Sequence, residues 1–87
     1  METIKTENAP AAIGPYSQAI VTGGIIYTSG QIAINPASGN IEAKDISGQT
    51  EQVIKNLKAV LEASGSSLNK AIKTTCFLKH IQDFATF

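Results

Sequence analysis

Arginine and tryptophan are absent from the 87 residues, and cysteine and histidine occur once each, as Cys76 and His80. All seven basic residues are lysines, and seven acidic residues bring the formal net charge to zero. Without arginine the chain has no planar, two-pronged donor for a carboxylate or phosphate, a task that a lysine point charge performs less well. It also has no basic run and no cluster of aromatic and basic side chains, so nothing grips a phosphate backbone and no nucleic-acid partner is expected. One cysteine cannot close an internal disulfide. Cys76 has no adjacent basic partner and alternates with apolar residues, so it reads as a small buried hydrophobe rather than a nucleophile. His80 lacks companions at metal-ligand spacing and reads as a surface residue, so no metal is expected. No apolar stretch approaches the roughly 20 residues that cross a bilayer, and Met1-Glu-Thr-Ile-Lys5 lacks a signal peptide's apolar core. A cytoplasmic chain without a membrane partner is the expectation.

The remaining composition is that of a folded protein, with 43% hydrophobic residues. A chain this short forms one domain and buries only roughly 60–65% of the surface its unfolded form exposes, so it gains from oligomerisation. Two β-like runs, Ser17 to Thr22 and Ile25 to Ser29, flank Gly23-Gly24. Tight two-residue turns need positive φ, which glycine adopts without strain, so this is a hairpin signal. The hairpin brings Tyr16 towards Ser29-Gly30-Gln31 at its open end.

Before it, Thr3 to Thr6 carries a weak strand signal, and Glu7 to Pro15, with two prolines, reads as an irregular lead-in. After it, Asn35-Pro36 and Ser38-Gly39-Asn40 are turn chemistry, so Ile32 to Lys44 reads as a surface loop with at most a brief extended piece. Asp45 to Gly65 has the periodicity of an amphipathic helix, with Ile46, Val53, Ile54, Leu57, Val60 and Leu61 on one stripe. Asp45 is its N-cap, Gly65 its left-handed stop, and Glu51 with Lys55 a favourable i,i+4 pair. Asn69 to His80 alternates Ile72, Thr74, Cys76 and Leu78 with Lys73, Thr75, Phe77 and Lys79, the pattern of a strand. Gln82 to Phe87 reads as the opening of a further helix, with Phe84 and Phe87 in core or subunit packing. A helix across a sheet built partly from a hairpin makes an α+β arrangement.

Several motifs, in order over essentially the whole chain, resemble the Rid/YjgF family of reactive intermediate (imine/enamine) deaminases. They are Ala9-Pro-Ala-Ala-Ile-Gly-Pro-Tyr-Ser-Gln-Ala19, Tyr27-Thr-Ser-Gly-Gln-Ile32 and Asn35-Pro-Ala-Ser-Gly-Asn40, then Gln49-Thr50 with Asn56-Leu57, and Lys73-Thr-Thr-Cys-Phe-Leu78 before Asp83-Phe84. The resemblance implies one domain over residues 1–87 without the family's C-terminal part. Its fold would be an α+β, chorismate mutase-like mixed β-sheet with helices packed on one face, usually a homotrimer. The implied reaction is hydrolysis of enamines and imines, such as 2-aminoacrylate and 2-iminopropionate, to 2-keto acids and ammonia, without metal or cofactor, in a site between subunits. Tyr16, Ser29, Gly30 and Gln31 are the substrate-binding positions it implies; the arginine and glutamate of the family's site would lie beyond Phe87.

The residues alone leave other readings open. Tyr16 fits a phenol half-buried beside Pro15 and bonded to backbone. Gly30 fits a residue that simply ends a strand. At the level of function, a non-catalytic module that binds small carboxylates stands beside the deaminase. Ribonuclease activity is disfavoured by the neutral charge and the missing arginine.

Overall fold

The structure is a computed structural model describing residues 1–87. The Gly23-Gly24 turn is where the fold is most visibly dictated by local chemistry. Both glycines take positive φ, 59° and 76°, the geometry whose twist matches that of the strands on either side. The turn joins β2 (Ala19–Thr22) to β3 (Ile25–Thr28) in antiparallel register, with Ala19 opposite Thr28 and Thr22 opposite Ile25. A short β1 (Glu2–Ile4) lies along the other edge of β2, also antiparallel, giving the order β1-β2-β3. Each strand is a residue or two shorter than its sequence signal, although the Ser29 N–H still bonds the Gln18 carbonyl at 2.9 Å. Within residues 32–44 the brief extended piece is a second, two-stranded hairpin, β4 (Ile34–Asn35) with β5 (Asn40–Ile41). Asn35 shapes its turn, accepting the Ala37 N–H through its side chain and the Gly39 N–H through its carbonyl.

Helix α1 (Ile46–Ala63) begins and ends where its capping residues stand. Asp45 Oδ1 accepts the Gly48 N–H at 2.9 Å. A side chain at Gly48 would put its Cβ 2.8 Å from that same oxygen and 2.8 Å from Ala43 Cβ, so the cap depends on the glycine. At the other end Gly65 turns left-handed at φ +82°. The Gly65 N–H bonds the Glu62 carbonyl and the Ser66 N–H bonds that of Leu61, the paired bonds of a Schellman stop. On the exposed face Glu51 and Lys55 form the expected ion pair at 3.5 Å; at the surface such a pair contributes only about 0.3–0.5 kcal/mol.

One face of the three-stranded sheet packs against α1. Ile4, Ala19 and Val60 meet there with Ala9 from the lead-in, and Val21, Ile26 and Ala59 close around them. Ile20, Ile25 and Tyr27 alternate onto the other face, where Tyr27 is 59% exposed. The helix presents a face rotated from the one its apolar periodicity suggests: Ile54 is exposed, while Asn56 and Val60 are fully buried. Polar Asn56 takes an inside position because it has partners there.

The α+β class holds, and every strand pair in it is antiparallel. Two expectations are corrected beyond α1. Asn69 to His80 is not a strand: a 3-10 turn (Leu68–Lys70) opens it, and residues 71–80 pair with nothing. Its backbone is extended at Ala71 and again at His80, but a strand also needs a neighbour to complete its hydrogen bonds, and none lies beside it. Cys76, expected inside, is therefore exposed, together with Ile72 and Phe77. Residues 82–87 contribute to a 3-10 turn (Ile81–Asp83) rather than a helix, and neither Phe84 nor Phe87 enters the core of this chain. His80 is on the surface, as its sequence context suggests. No helix is long and apolar enough to cross a membrane.

Candidate functional site

The open end of the β2–β3 hairpin gathers the sequence-derived residues, but not into one cavity. Ser29 is fixed from two directions: its N–H bonds the Gln18 carbonyl, and its hydroxyl donates to the Ser17 carbonyl in a short contact. Because Ser17 follows Tyr16 directly, this contact ties the end of β3 to the residue beside the tyrosine. Gln31 Nε2 reaches back to the Ser29 carbonyl at 3.4 Å, a long bond that orients it only loosely. Gly30 is exposed, and a Cβ built on it would meet nothing within 4 Å. Packing in this chain therefore does not demand a glycine there, and the main chain at Gly30 stands open to an approaching molecule.

Tyr16 faces elsewhere. Its N–H closes a tight turn onto the Gly14 carbonyl at 2.8 Å. Its side chain, half-exposed, lines a cavity of about 640 Å³ bounded by β1, the lead-in and Pro36. That volume falls in the range of small-molecule sites. Ser29, Gly30 and Gln31 do not line it. The structure thus divides the four candidate residues into Tyr16 on a cavity and Ser29-Gly30-Gln31 on the adjoining strand end.

Two side chains that hold this region together were not singled out as site residues. Gln18 is 3% exposed. Its Oε1 accepts the Thr6 N–H at 2.6 Å, while Nε2 donates to the carbonyls of Thr6 and Pro10, with a longer contact to that of Ala9. It pins the lead-in, and with it the cavity lined by Tyr16, to the start of β2. Asn56 does the same for the other side. Its Nδ2 donates to the carbonyls of Ile32 and Ile34 at 3.0 and 2.9 Å, and its Oδ1 accepts from Gln52. The chain leaving Gln31 is thereby anchored to α1. The sequence signal for both was a polar residue inside an apolar pattern, Gln18 just before Ala19-Ile20-Val21 and Asn56 just before Leu57.

A shallower groove of about 500 Å³ runs between the lead-in and α1, lined by Lys55, Lys58 and Glu62 among others. No three His, Cys, Asp or Glu side chains converge as a metal site would require. What the hairpin end offers is a phenol beside a cavity, a serine hydroxyl held in place and an open glycine backbone. Such groups orient a small polar ligand by hydrogen bonds.

With this geometry in view, the relatives are informative. The sequence model of the family described as Endoribonuclease L-PSP matches residues 6–87. The 2-iminobutanoate/2-iminopropanoate deaminase of Escherichia coli is 51% identical over 85 residues, covering 98% of this chain and 66% of that protein. The crystal structure of YyfA from Yersinia pestis, a Rid-family protein of unknown function, superposes with a TM-score of 0.95 at 50% identity, over 98% of this chain and 68% of that one. TdcF of Escherichia coli, crystallised with bound serine, is 42% identical with a TM-score of 0.93, over 99% of this chain and 67% of that one. The chain spans about two thirds of the length of these relatives.

Proposed function

The chain belongs to the Endoribonuclease L-PSP family, which includes the Rid/YjgF proteins, and from that premise we propose that it acts on reactive enamine and imine intermediates. The reaction is hydrolysis: water adds to the imine carbon of a 2-imino acid such as 2-iminopropionate, the carbon–nitrogen bond breaks, and ammonia leaves a 2-keto acid. The single observation that carries this reading is the 51% identity to the Escherichia coli deaminase over nearly the whole chain. The serine bound by TdcF supports a small, polar 2-amino-acid-like ligand.

In this reading Tyr16, Ser29, Gly30 and Gln31 bind the substrate. Ser29 is suited to it because its position is set by two bonds to residues 17 and 18, so little is lost in ordering it. Tyr16 and Gly30 address different parts of the surface, and a homotrimer would let the tyrosine of one subunit complete the strand end of another. The apolar face of Ile20, Ile25 and Tyr27, turned away from α1, is a surface such an assembly would cover. A cytoplasmic location and cofactor-free chemistry complete the proposal.

The test is pyruvate release from freshly generated 2-iminopropionate, measured against the spontaneous rate. Release above that background, reduced in Ser29→Ala, is the expected result. A rate equal to background overturns deamination. Retained binding of 2-oxobutyrate would then leave the non-catalytic small-carboxylate module as the function. A ribonuclease role receives no support from the charge of these 87 residues, which is zero with no arginine.

A further inference from the structure

Gly30 and Gln31 form a two-residue span between two fixed points. On one side Ser29 is held by its bonds to Ser17 and Gln18. On the other, the carbonyls of Ile32 and Ile34 are held by Asn56 Nδ2 at 3.0 and 2.9 Å, with Ala33 buried between them. No hydrogen bond within the chain engages the main-chain N–H or C=O of Gly30 or Gln31, and Gly30 is exposed. The span is therefore fixed at both ends and unpaired in the middle.

The hold at the far end depends on which way round one buried amide stands. Asn56 is 0% exposed. Carbonyl oxygens only accept, so Nδ2 must face Ile32 and Ile34 and Oδ1 must face away from them. Gln52, one turn earlier on α1, donates its Nε2 to that Oδ1 at 3.0 Å. A donor at position 52 thus favours the amide orientation that grips the chain. An acceptor there favours the reverse, turning Nδ2 away from the two carbonyls.

We propose that Asn56, oriented by Gln52, is a positioning residue for ligand binding: it touches no ligand, but holds the Gly30–Gln31 main chain in the geometry that receives one. The inference rests on the reading above that this strand end binds a small polar substrate. Its physical basis is preorganisation. A main chain ordered before the ligand arrives gives its hydrogen bonds without the entropy cost of ordering. Because Asn56 reaches the span from α1, the helix and the open end of the hairpin act as one unit.

The test titrates 2-oxobutyrate into the whole 87-residue chain and follows the Gly30 and Gln31 amide signals by NMR. In the wild type both should shift. Asn56→Leu should weaken binding about tenfold, the cost of ordering roughly one residue of backbone, and should lower the order parameters of Gly30 and Gln31 in the free chain. Because that variant also loses stability, the decisive pair is at the half-buried Gln52. Gln52→Lys keeps a donor towards Asn56 and should bind within about twofold of wild type. Gln52→Glu presents an acceptor and should weaken binding about tenfold. Helix electrostatics alone favour the opposite order, since a glutamate at 52 attracts Lys55 three residues on and a lysine there repels it. A change in helix stability therefore cannot produce the expected ranking.

If Gln52→Lys and Gln52→Glu bind 2-oxobutyrate equally, or Gln52→Glu binds it better, the assignment is overturned. It is overturned as well if the wild-type Gly30 and Gln31 signals do not move at millimolar ligand. Pyruvate release from 2-iminopropionate, measured in parallel, separates this inference from the deaminase reading. Hydrolysis with equal affinities in the two variants sinks the positioning role and leaves the deaminase; the expected ranking without hydrolysis does the opposite.

Discussion

Residues 1–66 and residues 71–87 are both rich in apolar side chains, and they place them in opposite ways. In the first region Ile4, Ala9, Ala19, Ala33 and Val60 are buried around two polar side chains, Gln18 and Asn56. In the second no residue is buried, and Ile72, Phe77 and Ile81 are each more than three-quarters exposed. Composition does not separate them; hydrogen-bond partners do. Gln18 and Asn56 satisfy backbone groups of the lead-in and of the chain after Gln31, so those irregular stretches become packable. No side chain or strand does this for residues 71–80. An apolar pattern becomes a core only where the backbone that carries it is also satisfied. Lys70, Lys73 and Lys79, with no acidic residue between Glu62 and Asp83, punctuate the exposed segment with like charge, which discourages edge-to-edge association.

The largest effect on this contrast should come from Asn56→Leu. The substitution removes the donor shared by the Ile32 and Ile34 carbonyls and strands both in a partly buried setting. We expect a loss of about 3 kcal/mol in urea unfolding, the sum of two half-buried acceptors left without partners. A loss below about 1 kcal/mol would mean that water replaces the amide there, and that the polar anchor is not what distinguishes the first region. Gln18→Leu should follow at about 2 kcal/mol, because the Thr6 N–H and the Pro10 carbonyl, both in part-buried bonds, lose a partner. Its effect should be concentrated in faster amide exchange over residues 4–10, detaching the lead-in and the cavity beside Tyr16 while α1 stays protected.

The same principle reverses the sign at Thr50. Its Oγ1 is the one buried side-chain polar atom in the chain without a hydrogen-bond partner. Thr50→Val keeps the branched shape and removes the unsatisfied hydroxyl, so stability should rise by about 0.5–1 kcal/mol. A decrease would show that an ordered water serves this hydroxyl.

These anchors also mark the limit of what the sequence makes legible. The hairpin turn, the Asp45 cap and the Gly65 stop were all readable, since each is decided by residues within a few positions of one another. Tyr16 and Ser29 were correctly brought to one end of the hairpin by the same local reasoning. The separation of Tyr16 onto its own cavity was not, because that cavity is formed by β1, the lead-in and Pro36. Asn56 reaches carbonyls 22 and 24 residues away, and no periodicity in α1 announces such a reach. For Asn69 to His80 the alternation was present but misleading: alternation describes which way side chains point, whereas a strand exists only through its neighbour.

Phe77→Ser bears on the comparison from its other side, and its expected effect is the smallest. The ring is 93% exposed, so replacing it removes almost no buried apolar area, and the area rule gives a change within about 0.5 kcal/mol. A buried phenylalanine would cost several times that. The measurement is urea unfolding at two protein concentrations tenfold apart. An unchanged midpoint at both would establish that residues 71–80 contribute nothing to the stability of the isolated chain. A loss of 2 kcal/mol or more, growing with concentration, would mean that Phe77 is covered by another copy in solution. The difference between the two regions would then belong to the isolated chain alone, with the exposed segment acting as one side of an interface.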